Sequence, residues 1–115
     1  MKRGEIWTVS GGNDYAGKPR PAVIVQDDGY EVLDSITICP ITSDQTPVPL
    51  TRPEIAPNET NGLSAPSRLM VDKIGTLSKS KFGYRIGRLA DEDITRLNRA
   101  MMVFLGMAAS ASKLR

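Results

Sequence analysis

The apolar stretches of this chain are short and rich in β-branched residues, and this feature limits most strongly what the chain can fold into. The two clearest are PAVIVQ at residues 21–26 and SITICPI at residues 35–41. Runs of this length between turn-forming residues predict strands and not helices. None approaches the roughly 18 apolar residues of a membrane-spanning helix, so we expect no membrane partner.

Other segments with alternating or β-branched composition predict further strands. They lie at residues 4–9, 67–72, 73–77 and 84–89, with a shorter one at 48–50 and a single helical turn at 78–81. Residues 43–62 hold four prolines and end in Asn61-Gly62, which is typical of a loop. The glycine-rich residues 10–18 predict a second loop.

The C-terminal part predicts the one long helix. Asp91, Glu92 and Asp93 supply the acidic first turn that the positive end of a helix dipole favours, with Asp91 as the predicted N-cap. Apolar residues then follow at helical spacing, namely Ile94, Leu97, Met101, Phe104 and Leu105. Residues 100–105 are apolar nearly all round, which indicates that a second surface covers this end.

Five to seven short strands and one terminal helix predict a mainly β protein with a C-terminal α-helix, whose small sheet bends strongly or closes into a partial barrel. The 115 residues suit one domain. We predict that residues 1–109 form it and that residues 110–115 are a flexible tail.

Composition excludes several classes of chemistry. The chain contains no histidine, which removes the usual catalytic triads and most zinc sites, so we expect no metal and no cofactor. Its single cysteine, Cys39, cannot form an internal disulfide and fits a reducing cytoplasm. The net charge of +2 is too small to identify a nucleic-acid partner on its own.

Residues 12–18 match the first seven positions of a phosphate-binding P-loop, but the eighth is Pro19. A P-loop needs a hydroxyl there for magnesium and must open a helix. Here a proline removes a backbone N–H and a strand follows. We therefore interpret this segment as a glycine-rich hairpin loop and exclude an NTPase.

Arg20 stands between two prolines in KPRPAVIV, residues 18–25. Pro19 has a fixed φ, and Pro21 biases Arg20 toward an extended backbone. Because the backbone of Arg20 is so restricted, its guanidinium loses little conformational entropy when it binds an anion such as phosphate. A solvated arginine at a strand entrance is the simpler interpretation, and the residues alone favour it.

Other polar groups at predicted strand ends have the same two interpretations. Thr42 and Ser43 follow SITICPI and either bind an anion or cap a turn. Asp72 ends another strand and is either a site carboxylate or half of an ion pair. A basic cluster around the last hairpin is either a solvated face or a phosphate track, and it comprises Lys79, Lys81, Arg85 and Arg88.

Taken in order, the motifs resemble the MazF/PemK toxins of bacterial toxin–antitoxin modules. They are RGEIW at residues 3–7, KPRPAVIV, PIT at residues 40–42, and the helix that ends at Leu105-Gly106. The resemblance implies an SH3-like barrel that acts as a homodimer. It also implies a metal-independent, sequence-specific endoribonuclease that cleaves single-stranded mRNA in the cytoplasm and is neutralised by a cognate antitoxin protein.

The resemblance also implies roles for individual residues. Arg20 and Thr42 match the family's catalytic arginine and threonine, and the reaction is attack of a ribose 2′-hydroxyl on its own 3′-phosphate. In some members of the family an arginine and an aspartate two residues apart also contribute. Asp72 matches the aspartate, Met70 occupies the place of the arginine, and Arg68, two residues earlier on the same strand face, is the candidate replacement. The further candidates for catalysis or RNA binding are Ser43, Arg68 and Asp72, with Tyr15 and Lys18 in the RNA-binding loop.

Two alternatives to this function stay open. The resemblance itself implies the first, because the related CcdB toxins share the fold and inhibit DNA gyrase; a non-enzymatic toxin of this kind would not need Arg20 with Thr42. A plain RNA-binding module would use Arg20 only to hold phosphate. An RNA-cleavage assay distinguishes the enzyme from both.

Overall fold

The computed structural model describes residues 1–10, 18–46 and 52–108. In these residues seven strands precede one α-helix. The strands are β1 (Glu5–Val9), β2 (Arg20–Ile24), β3 (Ser35–Thr42), β4 (Glu54–Ile55), β5 (Ser67–Leu69), β6 (Gly75–Ser78) and β7 (Phe82–Arg88), and the helix is α1 (Asp91–Phe104). Single 3-10 turns span Asp28–Tyr30, Val71–Lys73 and Lys79–Lys81.

All seven strands belong to one antiparallel sheet in the order β4-β5-β3-β2-β1-β7, with β6 also paired to β3. One edge of β3 serves two partners: its first half pairs with β6, and its last two residues pair with β5. Its other edge pairs with β2. Because β3 changes partner along its length, the sheet has to bend around it, which is the half-barrel predicted from the sequence.

The central strands β2 and β3 are buried on both faces. One face contributes Val23, Cys39 and Ile41 to a cluster that α1 covers through Leu97. The opposite face contributes Ala22, Ile24, Ile36 and Ile38 to a second cluster, which Trp7 and Phe82 cover. The β-branched runs PAVIVQ and SITICPI are therefore apolar at most positions, because each strand faces two clusters.

Helix α1 confirms the predicted terminal helix but not its cap. The acidic residues Asp91 to Asp93 form its first turn as expected. Ala90, however, occupies the N-cap position, where its methyl group cannot accept a hydrogen bond, so the predicted Asp91 cap is wrong. Within the described part of the chain, no helix has the length and apolar character needed to span a bilayer.

The predicted strand segments match β1, β2, β3, β6 and β7 with shifts of one or two residues at their ends. Segment 67–72 is only half strand, since a 3-10 turn replaces strand after Met70. Strand β4 was not predicted. The hypothetical strand at 48–50, the core of the hairpin loop with Tyr15, and the flexible tail at 110–115 lie outside the described residues, so the domain boundary at 109 stays a prediction.

Candidate active site

A groove with a volume of about 340 Å³ opens where β2 begins and β3 ends. Strands β2 and β3 are antiparallel, and Ala22 lies opposite Pro40. If this register is extended by two residues along each strand, Arg20 lies opposite Thr42. Both residues line the groove. Sequence analysis predicted their roles separately, and the sheet brings them together at one rim. The full lining comprises Arg20, Pro21, Ile41, Thr42, Ser43, Leu63, Ser64, Ala65, Ser67 and Met70.

Arg20 is the first residue of β2, and its side chain is exposed. Its backbone pairs with Val9 of β1, so the ladder holds it on one side while Pro19 and Pro21 restrict it in sequence. Because the backbone of Arg20 is held in place, its exposed guanidinium can direct its planar set of N–H donors at an anion in the groove.

Thr42 is the last residue of β3, and its hydroxyl is oriented by its own loop. The backbone N–H of Asp44 donates to Thr42 Oγ1 at 3.1 Å. A hydroxyl oxygen that accepts this bond still has its own hydrogen to donate. Thr42 can therefore act as a preoriented hydrogen-bond donor on the same rim as Arg20. Ser43 follows it with an exposed side chain.

The opposite wall of the groove is a loop that folds around a buried amide. Asn61 is fully buried, and its Oδ1 accepts from the backbone N–H groups of Asn58 and Leu63 at 3.1 and 3.0 Å. Its Nδ2 donates to the carbonyl of Ala56 at 2.9 Å. Gly62 follows with φ of 67°, where a Cβ atom would lie 2.5 Å from the carbonyl oxygen of Ile86. These contacts fix the position of Leu63, Ser64 and Ala65 on the wall.

Two predicted candidates lie away from the groove lining. Asp72 accepts two hydrogen bonds from Arg52, from Nε at 3.0 Å and Nη2 at 3.1 Å, and this contact lowers the pKa of the carboxyl below its ordinary value. Arg68 donates to Glu54 Oε1 at 2.7 Å and to the carbonyl of Arg52 at 3.0 Å. Both side chains are engaged in ion pairs, which supports the simpler of the interpretations weighed for Asp72.

Met70, which occupies the place of the family's second arginine, does line the groove. It is mostly buried, with 8% of its surface exposed. The side chain of Arg68, its candidate replacement, is directed to Glu54 and not into the groove lining. This wall is thus apolar where the family pattern has a cation, and the predicted replacement by Arg68 has no support from the geometry.

Lys18 is exposed two residues before Arg20, at the end of the predicted RNA-binding loop. The four residues of the predicted basic cluster do not form one surface with a common environment. Lys79 donates to the carbonyl of Glu31, whereas Arg85 and Arg88 pair with Glu5 and Asp91. Lys81 is exposed. Most of this cluster therefore consists of charges in local ion pairs or hydrogen bonds.

Cys39 carries no accessible nucleophile. Burial raises the pKa of its thiol to about 12, so the reactive thiolate is scarce at neutral pH. Among residues 1–10, 18–46 and 52–108, no three His, Cys, Asp or Glu side chains are grouped closely enough to hold a metal ion.

Several parts of the groove were missed in the sequence. Leu63, Ser64 and Ala65 lie between the predicted loop at 43–62 and the predicted strand at 67–72, and Ser67 begins that strand; the sequence does not mark any of the four as a site residue. The Asn61-Gly62 pair marked a turn, but its position against the groove depends on contacts with β7 that lie about 25 residues away in the chain. No local pattern reports such a contact.

Comparison with known proteins agrees with these motifs. The family described as PemK-like, MazF-like toxin of type II toxin–antitoxin systems matches residues 2–105. A relative from Mycolicibacterium smegmatis, named probable endoribonuclease MazF, is 45% identical over 108 residues, which are 94% of this chain and 99% of the relative.

Solved structures share the fold at lower identity. The Mycobacterium tuberculosis toxin MazF-mt6 superposes with a TM-score of 0.76 at 24% identity, covering 90% of this chain and 98% of that one. An endoribonuclease in complex with its cognate antitoxin, from a mycobacterial species, gives a TM-score of 0.76 at 19% identity, covering 94% and 97%. MazF in a MazE–MazF complex from Deinococcus radiodurans gives 0.73 at 19% identity, covering 94% and 97%.

Proposed function

Since the chain belongs to the PemK/MazF family of toxins from type II toxin–antitoxin systems, we propose that the groove at Arg20 and Thr42 is the active site at which this endoribonuclease cleaves single-stranded RNA. The observation that carries the proposal is the meeting of these two side chains on one groove rim. Arg20 contributes a positive donor fork and Thr42 an oriented hydroxyl, which are the groups a phosphodiester needs.

The chemistry is attack of a ribose 2′-hydroxyl on the adjacent 3′-phosphate. The new O–P bond forms as the 2′-hydroxyl loses its proton and the bond to the 5′-oxygen breaks. The 5′-oxygen takes up a proton and leaves as a hydroxyl, and a 2′,3′-cyclic phosphate remains. Negative charge grows on the phosphoryl oxygens in the transition state, so a guanidinium already held in place stabilises it without reorganising. Thr42 donates a hydrogen bond to the same phosphate. Arg20 acts electrostatically, because a guanidinium carries only donors and has no site that accepts a proton.

We further propose a cognate antitoxin as the protein partner of this chain. Two structural neighbours were solved as complexes of a toxin with its antitoxin, which supports the assignment. Because the antitoxin has to suppress RNA cleavage, an acidic segment that competes with RNA phosphate for Arg20 would suffice. The cytoplasm, where mRNA is found, is the proposed location.

The same protein is proposed to act as a homodimer. The C-terminal end of α1 leaves Met102, Phe104 and Leu105 exposed, in line with the expectation that a second surface covers residues 100–105. Beside them a groove of about 370 Å³ lies between Arg3, Asn98 and the methionines of the helix end. A second copy of the chain would remove this apolar surface from water.

Cleavage of a single-stranded RNA in EDTA tests the proposed function. The purified protein should cut the RNA without added metal and leave 2′,3′-cyclic phosphate ends, because Arg20 and Thr42 supply the charge stabilisation. An RNA whose attacking 2′-hydroxyl is replaced by hydrogen at the cut position should bind and stay intact. Cleavage that depends on added magnesium would contradict the mechanism.

The same assay decides between the alternatives that the sequence left open. Binding of the RNA without cleavage would favour a plain RNA-binding module. Neither binding nor cleavage, together with inhibition of DNA gyrase, would favour a toxin of the CcdB kind.

A further inference from the structure

We propose that Gln45 is a positioning residue of this active site: its side chain fastens the Thr42–Thr46 segment to the opposite wall and thereby fixes the hydroxyl of Thr42. The proposal rests on the proposed function of the groove. Gln45 does not line the groove, so it would act through Thr42 and not by touching the RNA.

The backbone alone cannot hold this rim. The β3–β5 ladder pairs Ile41 with Leu69 and Thr42 with Arg68, and then it stops. A longer ladder would next reach Ser67, the first residue of β5, and then Pro66, which precedes the strand and has no N–H to donate. The residue that has to present its hydroxyl therefore stands at the last rung of the ladder.

The side chain of Gln45 connects the two segments by hydrogen bonds where the backbone ladder has ended. Its amide nitrogen Nε2 donates to the carbonyl of Pro66 at 3.0 Å and to that of Ser43 at 3.3 Å. One amide thus joins the rim that holds Thr42 to the segment that carries Ala65 and Ser67 of the facing wall. Gln45 is itself exposed, so it contributes little to the core.

The held segment connects directly to the Thr42 hydroxyl. Asp44 lies between Ser43, whose carbonyl accepts from Gln45, and Gln45 itself, and its N–H donates to Thr42 Oγ1 at 3.1 Å. Asp44 is fixed in turn, because Thr46 donates to its Oδ1 through N–H at 2.9 Å and through Oγ1 at 2.7 Å. If Gln45 releases the segment, Asp44 moves and the Thr42 hydroxyl loses its orientation.

Amide hydrogen exchange tests whether Gln45 holds the segment, independently of RNA. Gln45→Met keeps a side chain of similar length and removes the donor. We expect exchange of the Asp44 and Thr46 amides to accelerate by about 10-fold, while the melting temperature stays that of the wild type. Gln26→Met is the matched control, because Gln26 makes a similar link to Tyr30 and Thr37 away from the groove.

A double-mutant cycle tests whether the hold acts through Thr42. Gln45→Met should lower the single-turnover cleavage rate by about 10-fold, which is less than the roughly 10²-fold that a misplacement of about 1 Å can cost. In a Thr42→Ala background the same change should have less than about a 2-fold effect, since the group that it positions is gone. Affinity for RNA with a 2′-deoxy cut site should stay unchanged.

Three results would overturn the proposal: unchanged exchange at Asp44, an undiminished loss of rate in the Thr42→Ala background, or an equal loss of rate in Gln26→Met. Absence of cleavage by the wild type would instead remove the proposed function. The exchange measurement would still decide whether Gln45 fixes this rim.

Discussion

At the scale of single residues, the site depends on two side chains whose freedom is limited before any ligand arrives. Arg20 is confined by Pro19, by Pro21 and by its pairing with Val9. Thr42 is confined by the hydrogen bond that it accepts from Asp44. Because both side chains are already restricted, less conformational entropy is lost when they bind a phosphate. Their positions at strand ends therefore preorganise the site.

Thr42 gives the first prediction. Thr42→Ala removes the hydroxyl, and we expect the single-turnover cleavage rate to fall by about 10-fold, the effect of losing a hydrogen bond worth roughly 1.5 kcal/mol. Thr42→Ser keeps the hydroxyl and should retain most of the rate. Thr76→Ala, on β6 and outside the groove lining, serves as the control. Wild-type cleavage by Thr42→Ala would remove Thr42 from the mechanism.

At the scale of elements, the ion pair of Arg52 and Asp72 ties the 3-10 turn Val71–Lys73 to the chain just before β4. The contact is bidentate and partly buried, with 15% and 28% of the two side chains exposed. The geometry indicates that Asp72 stabilises this turn, whereas the family resemblance made it a candidate for catalysis or RNA binding.

Asp72→Asn distinguishes these two roles. We expect a loss of about 1–3 kcal/mol in the free energy of unfolding, because Arg52 keeps a partly buried charge without its ionic partner. Cleavage by the folded protein should change little. Denaturant unfolding and single-turnover cleavage of the same preparation check both statements. A large loss of rate at unchanged stability would restore the catalytic assignment.

The same pair predicts a pH dependence. Hydrogen bonding from Arg52 lowers the pKa of Asp72 in the folded protein, so the unfolded chain binds the proton more readily. The pair therefore stabilises the fold above the ordinary aspartate pKa of about 3.9, and the gain disappears as pH falls through the lowered value. The stability difference between wild type and Asp72→Asn should shrink over this acidic range in denaturant melts. A difference that stays constant down to the lowest pH would contradict the role of the ion pair.

At the scale of the whole molecule, the C-terminal end of α1 and the residues just after it expose several large apolar side chains. Exposure reaches 55% at Leu105 and 69% at Met107. Leu105→Asp should convert the expected homodimer into a monomer, because burying a carboxylate in an apolar contact is costly. Sedimentation at tens of micromolar protein (about the Kd ≈ 10⁻⁵ M range) measures the molecular mass and so distinguishes dimer from monomer. Thr95→Asp on the exposed face of the same helix is the control, and a monomeric wild type would contradict the dimer.

The sequence predicted the mainly β half-barrel with its terminal helix because burial imposes a pattern on each element. The positions of Arg20 and Thr42 at strand ends made them candidates, and the family resemblance then predicted them as site residues. The sequence did not predict β4, the groove wall around Asn61, or the ion pair between Arg68 and Glu54. These depend on pairings between distant segments, which leave no periodicity in the chain.

The central claim is that Arg20 binds the reacting phosphate through its planar fork, and one measurement tests it most directly. Single-turnover cleavage of one RNA in EDTA should be compared for wild type, Arg20→Lys and Arg20→Ala, with a melting curve for each. Loss of a preorganised donor at a developing oxyanion costs about 10²–10³ in rate. Arg20→Ala should lose at least this much, and Arg20→Lys should recover little, because an ammonium cannot form two parallel bonds. Melting should hardly change. A near wild-type rate for Arg20→Lys, or loss of activity in Arg20→Ala only through unfolding, would contradict the account.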